Sequence, residues 1–307
     1  SFGRGLINVL EMNGAGGVPN NLRPDARYTT QNQVVNFAHS SYHSLQTSFQ
    51  RRFSAGLDLS AFYTYSRFRD DWSADAFSTV AGLINTGANA ETGFQGGGSA
   101  WIARPRGSDR GYSDYDTPHN FTLSHIYELP FGKGRRYLAN AGPLAQAVAG
   151  GWSLSGMLIW RSGQRVNLTL GRDIDDDGSA TRDRPALLSG SINDLYSNGR
   201  YDRTQYLIPQ NLAAQVLGVP ANVTNPSAAL ERNPIRAPRV QTYDLSLLKR
   251  FSLGERVASS LEFNAFNLFN RANFAGPSGS VSSSLFGIAT RTLTISRQIQ
   301  LGLKVSF

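Results

Sequence analysis

The sequence predicts an all-β chain: an antiparallel transmembrane β-barrel with about eight strands, long loops at one end and short turns at the other. Three observations lead to this prediction. Apolar and polar residues alternate with period two through separate segments, as in strands that have two different faces. Long and short connections between those segments alternate strictly. The final segment, RQIQLGLKVSF, keeps one apolar face to its last residue.

The composition is compatible with strands that cross a membrane. The chain has 307 residues, 40% of them apolar, and a mean hydropathy of −0.30. It contains no apolar run near the roughly 18 residues that a transmembrane helix needs. Barrel strands alternate, so their average hydropathy resembles that of soluble proteins. The sequence contains no cysteine, which excludes disulfides and cysteine-based zinc sites.

The N-terminal half contains four predicted strands. They occupy residues 2–10, 42–53, 57–68 and 119–131. The first has the weakest alternation, and the second and third form a hairpin around Ser54-Ala55-Gly56. The apolar faces of the other three strands carry Leu45, Thr47, Phe49, Phe53, Leu57, Leu59, Ala61, Tyr63, Tyr65, Phe121, Leu123, Tyr127 and Leu129. Arg51 interrupts the apolar face of the second strand.

The C-terminal half contains the other four predicted strands. They occupy residues 152–170, 239–251, 256–269 and 297–307. Their apolar positions are Trp152, Leu154, Leu158, Trp160, Tyr243, Leu245, Leu247, Phe251, Val257, Leu261, Phe263, Ala265, Phe269, Ile299, Leu301, Leu303, Val305 and Phe307.

Aromatic residues at the strand ends predict the two girdles of a membrane barrel. Trp152 and Trp160 lie on one face, and a strand tilted by about 40° separates them by roughly 20 Å along the membrane normal. The residues predicted to form lipid-facing girdles are Tyr63, Tyr65, Trp152, Trp160 and Phe307. The alternative interpretation places the two tryptophans in the core of a soluble β-sandwich.

Connection lengths predict the orientation. The short connections are 54–56, 132–151 and 252–256, whereas the long ones are about 12–41, 69–118, 171–238 and 271–296. Compact soluble domains seldom contain several irregular loops longer than about 15 residues. Outer-membrane barrels have short periplasmic turns and long extracellular loops. We therefore expect the C-terminus in the periplasm.

One loop contains a candidate calcium site. Acidic residues at alternate positions followed by Gly178 resemble the first half of an EF-hand-type loop. The candidate ligands are Asp173, Asp175, Asp177, Ser179 and Asp183. Arg184 occupies the twelfth position, where such a loop has a bidentate glutamate. The alternative is a solvated acidic loop with an Asp-Gly turn.

The sequence predicts neither an enzyme nor a nucleic-acid-binding protein. It contains no GxSxG, HExxH, phosphate-binding or GxGxxG motif. The net charge is +8, but no basic helix or zinc-finger spacing organises it. The arginines are expected to line a polar lumen and the interfacial rims; among them are Arg51, Arg52, Arg104, Arg106, Arg135, Arg136, Arg232, Arg236 and Arg239.

A few polar and aromatic side chains outside these patterns also have predicted roles. His125 lies on an apolar face, where we expect packing or a girdle position rather than metal binding. The acidic residues Asp109, Asp114 and Asp116 are expected to make turn and loop contacts. Phe77, Phe94, Trp101, Tyr112 and Tyr115 are expected either to contact a ligand at the barrel mouth or to pack the loops.

Several segments together resemble a known family. They are SSYHSLQTSFQRRFSAGLDLSAFYTYSRFRDD, SDYDTPHNFTLSHIYELPFGKGRR, GGWSLSGMLIWRSGQ, DIDDDGSATRDRP, YDLSLLKRF, LEFNAFNLFNRANF and SRQIQLGLKVSF. In this order they resemble the C-terminal barrel portion of TonB-dependent outer-membrane receptors of the Oar-like group, common in acidobacteria and myxobacteria. The resemblance implies a 22-stranded barrel that an N-terminal domain plugs. We expect residues 1–307 to be the C-terminal part, without the plug and signal peptide.

The resemblance implies a transport function in the bacterial outer membrane. An unidentified extracellular ligand would pass through the plugged channel, energised by the TonB complex through the missing N-terminal part. Other implied partners are outer-membrane lipid and the barrel-assembly machinery. That machinery would recognise the C-terminal strand through Ile299, Leu301, Leu303, Val305 and Phe307. The alternatives are a stand-alone structural or adhesive outer-membrane barrel and a secreted carbohydrate-binding β-sandwich. No cofactor other than the candidate calcium is expected.

Overall fold

A computed structural model describes residues 2–11, 27, 32–54, 56–71, 73, 110–172, 174, 183–221, 229–252 and 257–306. The strands are β1 (Phe2–Glu11), β2 (Asn32–Ser54), β3 (Leu57–Asp70), β4 (Gly111–Tyr112), β5 (His119–Glu128), β6 (Trp152–Arg161), β7 (Arg165–Val166), β8 (Ala186–Leu187), β9 (Leu217–Gly218), β10 (Ile235–Arg236), β11 (Val240–Ser252), β12 (Ala258–Phe266) and β13 (Gln298–Ser306). The helices are α1 (Pro143–Ala149), α2 (Gln210–Val216) and a 3-10 turn at Ile192–Leu195.

The long strands form one antiparallel sheet. Its order is β1-β2-β3-β5-β6-β11-β12-β13, with β4 paired to the end of β3. Each long strand therefore lies beside the next long strand along the chain, which is an up-and-down arrangement. Strands β1 and β13 form the two edges of this sheet. All eight predicted strands are confirmed.

Two strand boundaries differ from the prediction by more than three residues. Strand β2 begins at Asn32 rather than at residue 42. The prediction of one strand over 152–170 is wrong beyond Arg161. Gly163 explains the break, because a Cβ there would lie 2.0 Å from the carbonyl oxygen of Ala237. The chain leaves the sheet at this close approach, and β7 pairs with β10 instead.

The short connections lie at one end of the sheet, as predicted. Gly56 closes the β2–β3 hairpin with a φ of +81°, which favours glycine. The connection between β5 and β6 contains α1. Gly151, the residue before β6, has a φ of +73°. The long connections leave the opposite end of the sheet and contain the two small sheets β7–β10 and β8–β9.

The register places the predicted apolar residues on one face. Leu158 lies opposite both Leu123 and Tyr243. Farther along the sheet, Phe263 lies opposite Leu247 and Leu301. Because side chains alternate across a strand, the intervening residues lie on the second face. That face includes Ser48, Ser60, Ser124, Ser155, Ser246, Asn264 and Gln300, together with some apolar side chains such as Met157 and Ile159.

The main cluster of buried apolar side chains lies in the long loops rather than against the sheet. It consists of Leu168, Leu195, Leu207, Ile208, Ala213, Leu217, Ile235 and Phe286. Its members come from loop segments that are distant in sequence, so these segments fold together into one packed unit. None of the helices among the described residues has the length and apolarity to cross a bilayer.

Candidate membrane surface and loop cap

The apolar face of the sheet is extensively exposed. Its exposed side chains include Phe49 at 59%, Leu301 at 74% and Leu303 at 66%. Exposing apolar surface to water costs a free energy of about 25 cal/mol per Å². An apolar surface of this extent is therefore expected to contact lipid or protein rather than water. A sheet with one predominantly apolar face is the arrangement expected where hydrocarbon covers that face.

Aromatic side chains gather at the loop end of this face. The Tyr63 hydroxyl and His119 Nδ1 are 2.7 Å apart. The His119 ring centroid lies 5.3 Å from that of Tyr65 and 6.0 Å from that of Trp160. Three of the predicted girdle residues therefore form one group around His119.

The fourth described girdle residue lies at the turn end. Trp152 Nε1 donates to the carbonyl oxygen of Val148 at 2.8 Å, and Lys249 Nζ lies 5.2 Å from the Trp152 ring. The two groups match the geometry of two girdles. Their contact with lipid stays a prediction, and Phe307 lies outside the described residues.

His125 lies on the apolar face, as predicted. Its Nε2 is 2.8 Å from the Tyr243 hydroxyl, and the two rings stack with centroids 6.1 Å apart. Tyr243 also stacks on Phe269 at 5.8 Å. The hydrogen bond pairs two polar groups on an otherwise apolar surface, where an unpaired group would be costly.

The loop cap is defined here as residues 110–118, 162–172, 183–221, 229–239 and 267–297. It contains a buried ion-pair cluster around Asp116, whose carboxylate is fully buried. Asp116 accepts from Arg165 Nε at 3.0 Å and from an Arg236 terminal nitrogen at 2.6 Å. It also accepts from the Phe68 backbone N–H at 2.9 Å, which connects the loop cap to β3.

The negative charge of Asp116 compensates the positive charges of Arg165 and Arg236. Burial lowers the pKa of Arg165, the nearby charge of Arg236 lowers it further, and Asp116 opposes both effects. A buried charge is tolerated when a partner and hydrogen bonds compensate its lost hydration. Asp116 is the shared partner of both guanidinium groups.

A second buried pair joins the loop cap to the end of β3. Arg232 donates to the Asp70 carboxylate, to the Asp70 carbonyl oxygen at 2.9 Å and to Ser73 Oγ at 2.8 Å. Asn233 donates to the carbonyl oxygen of Tyr112 at 2.8 Å and also bonds the Asp114 carboxylate. These contacts match the loop-contact roles expected for Asp114 and Asp116, while Asp109 lies outside the described residues.

Tyr112 packs within the loops in the described structure. The guanidinium of Arg165 lies 3.4 Å from the centroid of its ring, and that of Arg69 lies 5.0 Å away. This is the loop-packing alternative of the two predicted roles. Tyr115 is 64% exposed. Phe77, Phe94 and Trp101 lie outside the described residues.

Arg232 and Arg236 form these ion pairs within the loop cap. The arginine lining of a polar lumen and of the interfacial rims stays a prediction. At the opposite end of the sheet, Arg135 pairs with Glu128 at 2.6 Å. The sequence signal for the loop-cap pairs is weak, since the partners Asp70 and Arg232 are 162 positions apart.

The candidate calcium loop is described only at its base. Asp173, Asp175, Asp177 and Ser179 lie outside the described residues. Asp183 is buried, and its Oδ2 accepts from the Ile174 N–H at 3.0 Å. Its backbone oxygen accepts from Leu170 N at 2.7 Å, which draws the two ends of the loop together. In the part of the chain that the structure describes, no group of three acidic or histidine side chains is placed to hold a metal.

Calcium binding can be measured directly. We expect a calcium titration of the protein to release or absorb heat with a dissociation constant of about 10⁻⁴–10⁻³ M, the range of weak extracellular sites. Amide exchange in 173–183 should slow on binding, because coordination by the carboxylates would protect the amides of the loop. The double variant Asp175→Asn, Asp177→Asn is the control. Wild-type protein that shows neither heat nor slower exchange would contradict the prediction.

A family model described as an outer membrane beta barrel domain matches residues 1–300. The chain belongs to this family. Membership places the protein in the outer membrane and assigns the large antiparallel sheet to a barrel. The β-sandwich alternative is therefore wrong.

Two solved structures resemble this barrel domain weakly. The outer membrane transporter YddB from Escherichia coli is 11% identical in sequence, with a TM-score of 0.44. The match covers 97% of this chain and 28% of the YddB chain. P. aeruginosa FpvA, solved with heterologous pyoverdines as an iron complex, is 11% identical in sequence, with a TM-score of 0.35. The match covers 94% of this chain and 22% of the FpvA chain. A search of the curated proteins finds no match. The assignment therefore depends on the family match.

Proposed function

We propose that this barrel domain is the C-terminal part of a TonB-dependent receptor of the Oar-like group. In this proposal it moves an unidentified extracellular ligand through a channel that an N-terminal domain plugs. The observation that supports it best is the two-faced sheet. One face is predominantly apolar, the other carries hydroxyl and amide side chains, and the long loops gather at one end. Such a sheet can separate lipid from a polar lumen.

The edges of the sheet support a larger parent barrel. Strands β1 and β13 end the order of the eight long strands. Unpaired backbone groups are too costly in hydrocarbon, so a sheet in a membrane must close. Further strands from an N-terminal region would pair with β1 and β13 in the proposed 22-stranded barrel. In the competing stand-alone barrel, β1 and β13 would pair with each other.

The proposed orientation follows from loop length. The loop cap faces the outside, and the connections at 54–57, 128–152 and 252–258 face the periplasm. The ligand would meet the loops first and the polar face next. TonB engagement from the periplasm would then displace the plug and open the path.

The test is the complete coding sequence, followed by a binding measurement on its product. A plug domain with a TonB box upstream of Ser1 is expected, and the purified full-length protein should bind the periplasmic domain of TonB. Deleting the TonB box is the matched control. A signal peptide directly before Ser1 would contradict the proposal and favour the stand-alone barrel.

The C-terminal strand is proposed as the signal for outer-membrane assembly. Deleting Phe307 should lower the yield of folded protein in the outer membrane, because the last aromatic residue would be lost from the recognised strand. The measurement is the amount of folded protein in isolated outer membranes. Phe307→Tyr keeps an aromatic residue and should restore the yield. An unchanged yield after deletion would rule out the assembly role.

A further inference from the structure

A cavity of about 780 Å³ lies where the loop cap meets the end of the sheet. Four aromatic side chains, Trp160, Tyr196, Tyr206 and Phe274, form part of its wall. Four arginines, Arg203, Arg236, Arg239 and Arg271, also line it. None of the residues that line it is acidic. The cavity is therefore strongly basic and partly aromatic.

Three of these arginines have no ion-pair partner among the described residues. Arg236 is bound to Asp116. Arg203, Arg239 and Arg271 are exposed, and no acidic side chain of the described residues lies within ion-pair distance of them. Guanidinium groups bind phosphate through paired, charge-assisted hydrogen bonds. The lining of this cavity therefore suits an anion with several oxygen atoms.

The frame around the cavity is preorganised. The backbone N–H of Arg236 donates to the Tyr196 hydroxyl at 2.9 Å, and a terminal nitrogen of Arg236 donates to the Gly163 carbonyl oxygen at 3.0 Å. Burial, together with neighbouring Tyr196, raises the pKa of Tyr206 to about 12. At neutral pH Tyr206 is thus an uncharged hydroxyl that adds no negative charge to the cavity and can donate to an anion.

The cavity adjoins the apolar face of the sheet. Trp160, part of its wall, lies in the aromatic group of the apolar face with His119. Phe269 is 70% exposed and stacks on Tyr243 of the same face. The cavity-lining Asn270 and Arg271 follow Phe269 directly. A solute that crosses the barrel would travel along the other face.

We propose that this cavity binds the phosphate-bearing head group of an anionic lipid, whose acyl chains lie along the apolar face. Aromatic residues favour the membrane–water boundary, and basic pockets at that level bind anionic head groups. The proposal rests on membership of the outer-membrane barrel family and not on the transport function. Its failure would therefore leave the proposed function untouched.

The test uses the full-length protein in nanodiscs of phosphatidylcholine with or without phosphatidylglycerol. Native mass spectrometry would count the anionic lipid molecules that the protein retains. We expect the double variant Arg239→Gln, Arg271→Gln to weaken retention at this site by about tenfold or more, the loss expected from removing charge-assisted bonds. Arg291→Gln is the matched control, because Arg291 is an exposed arginine of the loop cap outside the cavity lining.

Two further measurements make the outcome decisive. Hydrogen exchange should show the loop cap equally protected in the double variant and the wild type, since neither arginine has a described ion-pair partner to lose. Inorganic phosphate, added in detergent without lipid, tests a free anion as the ligand. Retention equal to wild type in the double variant would overturn the proposal. Saturable phosphate binding that phosphatidylglycerol fails to displace would also overturn it.

Discussion

The variant Asp116→Ala is expected to unfold the loop cap and leave the sheet in place. It would leave Arg165 and Arg236 buried without their shared carboxylate, and removing one partner of a buried ion pair typically costs about 3–5 kcal/mol. The variant also removes the acceptor for the Phe68 N–H, a contact between the loop cap and β3. Hydrogen exchange should show faster exchange in 183–221 and 229–239, with β5 and β6 unchanged.

Asp114→Ala is the matched control for this result. Its carboxylate is 59% exposed and lies 3.9 Å from Arg232. Exposed ion pairs contribute about 0–1 kcal/mol, so its effect should be much smaller. Equal exchange in the Asp114 and Asp116 variants would show that burial of the Asp116 cluster does not stabilise the loop cap.

The second large effect is expected from Leu301→Arg in the terminal strand. Leu301 lies on the apolar face opposite Phe263, and it is 74% exposed. An arginine on the lipid face near the bilayer midplane costs about 2–4 kcal/mol. Unfolding by guanidinium in lipid vesicles should show that loss, together with a lower yield of folded protein in the outer membrane.

The neighbouring residue, Gln300, provides a control variant on the opposite face of the strand. Gln300 lies opposite Asn264 on the other face of β13, so Gln300→Arg should have little effect on the unfolding free energy. If both arginines are tolerated equally, the apolar face does not contact hydrocarbon. If Gln300→Arg is the more damaging change, the assignment of the faces is reversed.

The strands were predictable because their signal is local. Alternation over ten residues is enough to place Trp152 and Trp160 on the same face, and the register confirms it. A short hairpin connection that contains a glycine, such as 54–57, is equally visible in sequence. The boundary at Arg161 was missed because the break at Gly163 depends on the approach of Ala237, a residue far away in the chain.

The loop cap was not predictable for the same reason. Its ion pairs join Asp116 to Arg236 and Asp70 to Arg232 across long stretches of sequence. Its core residues, such as Leu168 and Phe286, come from different loops and show no shared period. The basic cavity depends on this packing, because it gathers arginines from separate segments that appear scattered in sequence.

The central claim is that one face of the sheet contacts lipid and the other contacts water. Because the sequence contains no cysteine, single cysteines can be introduced one at a time over residues 243–250 of β11 and spin-labelled. The measurement is the accessibility of each label to oxygen and to a water-soluble nickel chelate, in the outer membrane. We expect period two, with oxygen favoured at Tyr243, Leu245 and Leu247 and the chelate favoured at Ser246 and Leu248. Equal access of the chelate to both sets would contradict the claim.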